Sequence, residues 1–464
     1  MLRQCLIANA AANWGNQLAL KSEDKSCSYL ELEVLVQTAT ASLSELGIKQ
    51  GTRTAVLIAD NFKFVPIFFA LLRLGAIVCP LNFKDQQNII NEKLSIVRSE
   101  VMLTDQESSF KATVKQISVS QVFKRSVSSP ERIYYEANDY AIVVFTSGTS
   151  GRPKAVCHEI SAFLIGAIES NARINFQYDD KWLLSLSTSS VAGLSIIFRV
   201  FAAGARLLVP RSFETLAVID SLKANPGSWV SLVPTMLKTI YNQELEVPQL
   251  KAILLGGAPI DSEVIRIIKE NNLLAFNCYG MSETAANVFC TLPEDCPDKL
   301  QTVGTSLGST MLELIDDEIV FSGPRISKGW INDSGVFTAS HGKYFTGDLG
   351  QLVDERLIIT GRKDRMIISG GENIDPLEIE NAAKEFPGVN NAAVIGIENK
   401  KWGQRPVLFI ECAKHMKPDK HKLASSIEAR LGKVKLPDKI TLMDLLPTTQ
   451  IGKVDYQVLK KLSS

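Results

Sequence analysis

Apolar positions along the chain alternate between two periods, and the alternation outlines a fold. Residues 29–48, YLELEVLVQTATASLSELGI, carry apolar side chains at helical spacing and close at Gly47. RTAVLIA, which follows, reads as a strand. The most apolar stretch, FVPIFFALLRLGAIVCP (64–80), is broken by Arg73 and Gly75, so it predicts a buried helix running into the strand AIVCP, not a membrane span. AIVV (141–144), RLLVP (206–210), WVSLVP (229–234) and AILLGG (252–257) predict further buried strands at helix-length intervals. Such alternation predicts α/β layers around mostly parallel sheet. The opening MLRQCLIANAAANW lacks an unbroken apolar core and predicts an amphipathic helix.

Beyond about residue 300 the texture changes. MLELIDDEIVFSG (311–323) predicts a hairpin turning at Asp316-Asp317, and RLIITGR another strand. A smaller unit begins at Met366. PLEIENAAKEF predicts a helix opened by Pro376, with Leu377, Ile379, Ala383 and Phe386 turned inward. AAVIGI and RPVLFIEC predict strands, and HKLASSIEARLG a helix ending at Gly432.

Size and composition narrow the class. At 464 residues the chain exceeds one ordinary core. Its 50 basic and 50 acidic side chains balance, so no overall charge calls for nucleic acid or an anionic membrane. The 8 cysteines include no C-x-x-C pair, and the 4 histidines offer no zinc spacing beside them. Scattered thiols without a secretion signal predict a reducing, cytoplasmic location.

Candidate chemistry begins at FTSGTSGRPKA (145–155), directly after the strand AIVV. Its glycines let backbone N–H groups turn inward, its hydroxyls add donors, and an arginine and a lysine supply charge, which describes a phosphate cradle. The Walker pattern does not fit, because Gly151 is followed by Arg-Pro-Lys and Pro153 removes a donor where a helix would start. Taken alone, the stretch could instead be a mobile surface turn. Five more stretches decide between these: LGGAP (255–259), YGMSETA (279–285), YFTGDLG (344–350), GRKDRMIISGGENIDPLEIE (361–380) and PTTQIGKVD (447–455).

In order and spacing these six resemble the core motifs of the adenylate-forming superfamily: acyl-CoA synthetases, adenylation domains and luciferases. The resemblance covers nearly the whole chain. It implies a large N-terminal domain (1–361) of layered α/β sheets with a β-barrel-like part, a hinge (362–365), and a small mobile α+β C-terminal domain (366–464). It also implies ATP, magnesium and coenzyme A as reactants and cofactors. Thr146, Ser147, Gly148, Thr149, Ser150, Gly151 and Lys154 would form a loop over the β- and γ-phosphates, with Glu283 holding magnesium. Ser282, where the family usually has Thr, would donate to the α-phosphate. Gly257, Ala258, Pro259 and Tyr279 would wall the adenine, with Gly280 and Met281 also in the nucleotide site, Asp348 on the ribose and Arg362 on ribose or phosphate. Lys453 would bridge carboxylate and α-phosphate, Asp364 would be the hinge residue, and Gly370 and Gly371 would let pantetheine pass.

Each residue also has a plainer role. Asp348 could form a turn, Glu283 could be a helix-terminal charge, Lys453 could be a solvated lysine, and Gly370-Gly371 could be an ordinary turn. Tyr279 could simply pack.

Within the superfamily, IISGGENIDPLEIE, KWGQRPVLFIE (401–411) and SVAGLSIIFRVFAAGARLLV (190–209) look most like the 2-succinylbenzoate–CoA ligases of menaquinone and phylloquinone biosynthesis. That resemblance implies a two-step ligase making 2-succinylbenzoyl-CoA, with Ser190, Gly193 and Arg199 as acyl-site candidates. Arg199 could instead cap a helix or face solvent. The family usually places an aromatic residue and a histidine where this chain has Ser189 and Ser190. Ser150 for Thr and Ala155 for Gly are lesser departures. Another aromatic or medium-chain acid, a stand-alone enzyme loading a carrier protein, and a non-catalytic nucleotide binder are the competing readings. A homodimer without membrane insertion or nucleic-acid partner is the family-level expectation.

Overall fold

The computed structural model describes all residues except 1, 106–112, 124–133, 137–139, 148–152, 243–248, 332–336, 340–341, 414–415, 449–453 and 464. Two compact units emerge: Met1–Leu312 with Phe321–Tyr344, and Glu313–Val320 with Phe345–Ser464. The mixed α/β architecture, a large amino-terminal part followed by a smaller carboxy-terminal one, is the expected one.

The first unit is built on two sheets. One runs parallel through Lys115–Ser118, Val101–Thr104, Arg53–Leu57, Ile77–Pro80 and Tyr140–Ser147. It then turns antiparallel through Pro153–Glu159, Gly329–Ile331 and Phe337–Ala339. The other is parallel from Leu18–Lys21 through Arg206–Leu208, Lys181–Leu183, Ser228–Leu232 and Leu250–Gly256 to Ala275–Met281, with antiparallel strands at both edges. Parallel strands covered on both faces need apolar residues at consecutive positions, which is why WVSLVP and AILLGG were legible.

Helices Asn61–Arg73, Ile160–Ile174 and Val191–Ala203 share one core with Val78 and Ile142 of the first sheet and Trp182 and Trp229 of the second. On the far face of the second sheet, Leu183, Val230 and Ile253 pack on helices Thr215–Lys223 and Ser262–Glu270. On the far face of the first, Ala55 and Met102 pack on helix Gln87–Val97. The unit is therefore five layers, helix and sheet alternating. Arg73, which interrupts the most apolar run, is itself buried and meets Glu33 through two bonds of 2.9 and 2.5 Å. A bidentate pair of that kind satisfies both charges inside the core.

The amino terminus departs from expectation. A short strand, Leu2–Gln4, pairs with Tyr134–Glu136, and the helix spans only Leu6–Trp14. The pairing is a long-range contact that periodicity cannot register.

The second unit begins within a four-stranded sheet of Met311–Ile315, Glu318–Ser322, Lys343–Val353 and Arg356–Arg362, to which it contributes residues 313–320 and those from 345 on. Its first turn has Asp316 at φ 50° and Asp317 at φ 61°, the primed hairpin geometry that short aspartates tolerate. A five-stranded sheet follows. Helices Pro376–Lys384 and Lys420–Leu431 pack one face through Ile379, Ala383, Leu423 and Ile427, while Leu459 of helix Tyr456–Ser463 meets Phe409. Leu377 and Phe386, expected inward, are only half-buried, and Glu380 takes an interior place. It can do so because its carboxylate accepts from Val394 N at 2.8 Å and pairs with Arg365 at 2.5 Å.

Candidate active site

Strands Tyr140–Ser147 and Pro153–Glu159 are antiparallel neighbours, with Thr146 opposite Lys154 and Ser147 opposite Pro153. The glycine-rich segment thus joins strand to strand, whereas a Walker loop joins strand to helix, and Pro153 opens a strand. Gly148, Thr149, Ser150 and Gly151 lie outside the described residues, as does Lys453. Lys154 is described: its Nζ stands 4.5 Å from the centre of the Trp330 ring, a cation–π contact from the adjoining strand. Lys154, Glu283, Trp330 and Tyr344 line one small cleft.

Glu283 sits on a single turn, Ser282–Thr284, at the end of strand Ala275–Met281. Its backbone is pinned from three sides. His158 Nε2–H donates to the Ser282 carbonyl at 2.6 Å, and Ser327 N–H donates to the Glu283 carbonyl at 2.6 Å. Thr284 Oγ1 accepts from Met281 N at 2.9 Å and donates to the Ala286 carbonyl at 2.5 Å. Ala285 and Ala286 hold φ of 50° and 83°, which alanine adopts only when its surroundings impose it. Gly280 makes the bend possible, since a Cβ there would lie 2.0 Å from the Ala286 carbonyl oxygen. Among the described residues no cation pairs with Glu283.

His158 is fully buried, and its Nδ1 has no partner among the described residues. Burial pushes its pKa down to about 4, and Arg325 adds to the effect. The ring is therefore neutral near pH 7 and acts as a fixed donor.

Gly257, Ala258 and Pro259 leave strand Leu250–Gly256 at a positive φ of 80° on Gly257. Gly256 is paired with Cys278, so they emerge beside Tyr279, Gly280 and Met281 at the carboxyl ends of neighbouring parallel strands. Ligands of open α/β sheets bind at such ends. Tyr279 is half-buried with its ring 6.0 Å from Phe321.

The acyl-site candidates divide. Ser190 caps helix Val191–Ala203: its Oγ accepts from Gly193 N at 3.2 Å and donates to the Ser187 carbonyl at 2.8 Å. Gly193 is a packing requirement, because a Cβ there would lie 2.1 Å from that same carbonyl oxygen. Ser189 hydrogen-bonds Ser187 at 2.8 Å. Arg199 neither caps a helix nor faces solvent. It is buried, donates Nη2–H to Asn287 Oδ1, and lies 5.6 Å from the Trp182 ring centre. Among the described residues no carboxylate pairs with it, its Nε lacks a partner, and burial pulls its pKa below the usual arginine range. Arg325, also buried, donates to the Asn287 carbonyl at 2.5 Å and pairs with Glu169 at 3.3 Å. Two interior guanidiniums thus flank Asn287 with one carboxylate between them.

Three more of the expected residues meet in the second unit. Asp348 and Arg362 are directly opposite on paired strands and bond at 2.7 Å. Arg362 also grips Asp364 through two bonds of 2.8 and 3.1 Å. Gly370 and Gly371, with φ of 62° and 89°, form the turn between strands Ile367–Ser369 and Glu372–Ile374. ISGGENI is therefore a hairpin, with the two glycines in the turn that was their plainer reading. GQRPV holds it in place: Gln404 Oε1 accepts from Ile368 N at 3.1 Å, and Arg405 reaches Ser369 Oγ at 3.1 Å and Asp438 at 2.8 Å. The flanks of Lys453 are closed by a bridge between Thr448 and Val454.

Sequence reasoning missed His158, Ser327, Trp330, Tyr344, Asn287 and Arg325. Tyr344 opens the motif YFTGDLG, but no local motif marks the other five; strand pairing brings residues 153–159 and 325–331 to Glu283.

Residues 7–330 match the family model of AMP-binding enzymes, and residues 378–453 match that of the AMP-binding enzyme C-terminal domain. The chain belongs to the AMP-binding enzyme family. Within the family it is 30% identical over 453 residues to the 2-succinylbenzoate–CoA ligase of Listeria monocytogenes serotype 4b, covering 96% of each chain. To the Bacillus subtilis enzyme of the same name it is 29% identical over 462 residues, covering 96% of this chain and 95% of that one. The structure superposes on o-succinylbenzoate CoA synthetase (MenE) from Bacillus subtilis in complex with the acyl-adenylate intermediate OSB-AMP, with a TM-score of 0.89, 28% identity and coverage of 99% and 98%. With the same enzyme in complex with ATP and magnesium ion the TM-score is 0.88 at 27% identity, covering 99% of this chain and 100% of that one.

Proposed function

We propose that this AMP-binding enzyme is a 2-succinylbenzoate–CoA ligase of menaquinone or phylloquinone biosynthesis. A carboxylate oxygen of the acid attacks the α-phosphorus of ATP and pyrophosphate leaves. The thiolate of coenzyme A then attacks the acyl carbon and AMP leaves. The observation that carries the chemistry is the placing of Lys154 and Glu283, distant in sequence, in one cleft. Attack of one anion on another needs that repulsion offset.

Glu283 fits a magnesium ion. Its carboxylate, a hard oxygen donor, has no cationic partner among the described residues, and its backbone is held by His158, Ser327 and Thr284. When bound, magnesium neutralises phosphate charge and holds the pyrophosphate leaving group. Lys154 and the hydroxyls and backbone of 146–151 bind the outer phosphates, and Ser282 donates to the α-phosphate. The 257–259 turn and Tyr279 wall the adenine. In the second unit, Asp348 accepts from the ribose hydroxyls, with Arg362 orienting it through their 2.7 Å bond. Lys453 bridges the reacting carboxylate and the α-phosphate, Asp364 is the pivot of domain rotation, and the Gly370-Gly371 hairpin borders the pantetheine path.

The acid assignment draws its support from Arg199. 2-Succinylbenzoate brings two carboxylates, of which one reacts. An interior guanidinium without a carboxylate partner suits the other, because a buried cation costs several kcal/mol until an anion meets it. All 8 cysteines are free and no described helix is long and apolar enough to cross a membrane, in keeping with a cytoplasmic enzyme.

The deciding experiment measures pyrophosphate release with ATP and magnesium, comparing 2-succinylbenzoate, benzoate and octanoate, with and without coenzyme A. Preference for 2-succinylbenzoate with formation of its thioester is expected. Turnover of only the monocarboxylates would sink the acid assignment and leave the adenylation chemistry standing.

A further inference from the structure

Cys278 and Cys290 occupy directly opposed positions on the antiparallel strands Ala275–Met281 and Ala286–Cys290, and their Sγ atoms are 3.4 Å apart. Opposed residues of such a pair have Cα atoms roughly 4.5–5.5 Å apart, within the span that a disulfide bridges. Cys278 is partly exposed and Cys290 is fully buried, so a small oxidant meets Cys278 first.

The surroundings favour a thiolate. Arg173 donates to the Cys290 carbonyl at 2.8 Å, and Arg199 donates to Asn287 on the same strand. Hydrogen bonding from Cys290 and the fields of these two arginines hold the Cys278 thiol below its ordinary range against the opposing effect of its partial burial, with Cys290 raised in compensation. Cys27, Cys79 and Cys157 behave oppositely: burial pushes each of their thiols up to about 12, which leaves them inert. An attacking sulfur beside a resolving one is the arrangement of reversible thiol oxidation.

We propose that Cys278 and Cys290 form a reversible disulfide on exposure to hydroperoxides, with Cys278 attacking and Cys290 resolving. The Cys278 thiolate takes the terminal peroxide oxygen, giving a sulfenic acid and releasing the reduced alcohol or water. The Cys290 sulfur then displaces the sulfenic oxygen, which leaves as water with the Cys290 proton. The pair loses two electrons and the peroxide gains them. The bond joins the two ends of the segment that carries Tyr279, Gly280 and Glu283. The proposal stands whether or not the acid is 2-succinylbenzoate.

The full chain treated with hydrogen peroxide, alkylated under denaturing conditions and digested without reductant tests it. The expected product is a chain lighter by two hydrogens, with one peptide pair joined through Cys278 and Cys290 and separated again by dithiothreitol. In Cys290→Ser the oxidation stops one step earlier, and dimedone labels Cys278, which it does not label in the parent chain. Oxidation confined to the exposed Cys296, with Cys278 and Cys290 both alkylated, would overturn the proposal. So would a Cys290→Ser chain in which dimedone finds no sulfenic acid at Cys278. The peptide map of the parent chain decides even where the variant fails to fold.

Discussion

Arg199 illustrates how a single side chain can be a liability to the fold and, on the proposed reading, an asset to the site. Interior and resting on Trp182 and Asn287, it carries a charge that no carboxylate among the described residues balances. Arg199→Met is expected to raise KM for the acid about 10-fold or more while leaving KM for ATP unchanged, since a desolvated charge pair is worth roughly 2–5 kcal/mol. The same change is expected to raise Tm, because an unpaired interior charge is removed. Steady-state kinetics beside calorimetry checks both directions. Glu283→Gln, by contrast, keeps the pinned turn and loses the charge, and turnover is expected to fall about 10²-fold with Tm unchanged.

His158 connects the residue scale to pH. Its pKa lies at about 4 in the fold against an ordinary value of 6.5, so the folded state prefers the neutral ring. The stability it contributes is complete above pH 6.5 and is lost as pH falls towards 4, to a total of about 3 kcal/mol. His158→Gln is expected to flatten the acid limb of the stability curve in that window, as read by urea unfolding at successive pH values. A variant whose acid limb matched the parent's would show that the ring does not titrate there.

At the scale of elements, several motif letters prove to be packing requirements. Gly193 admits the Ser187 carbonyl, Gly280 admits that of Ala286, and Gly370 admits the Trp402 ring, whose Cε3 would stand 2.7 Å from a Cβ. Gly371 has open space around it, so only its φ of 89° resists a side chain. Gly371→Ala is therefore expected to cost about 1 kcal/mol, the backbone penalty alone. Gly193→Ala is expected to cost about 1–3 kcal/mol or more, because the first turn of its helix must move off the chain segment beneath it. Denaturant midpoints for the two variants test the ordering, and equal losses would contradict it. GQRPV belongs here as well. It lies in one of the stretches that resemble the 2-succinylbenzoate enzymes, yet Gln404 and Arg405 serve to fasten the glycine hairpin.

The whole molecule contains separate cores. Trp182, Trp229 and Phe198 lie in the first unit, and Ile379, Ala383 and Leu423 in the second, each beneath its own sheet. Units with their own cores unfold as separate cooperative steps. Trp182→Ala, which removes about 3–5 kcal/mol of packing, is expected to lower the transition of the first unit, and Ile379→Ala that of the second. Scanning calorimetry showing one shared transition that shifts equally in both variants would contradict that independence.

What the sequence determined by itself is what depends on neighbours along the chain. Apolar runs specified the parallel strands, the Asp316-Asp317 turn specified a hairpin, and six ordered motifs specified the superfamily and its reactants. Only the tertiary structure decided what depends on partners far away. It extended the amino terminus into a strand through pairing with Tyr134–Glu136, turned ISGGENI into a hairpin, and buried Arg199 and Arg325 around Asn287. It brought His158 and Ser327 to the back of Glu283 and set Cys278 against Cys290. The physical reason is range: periodicity and turn chemistry act over a few residues, whereas the desolvation and hydrogen bonding that settle a buried charge depend on which strands the fold lays side by side.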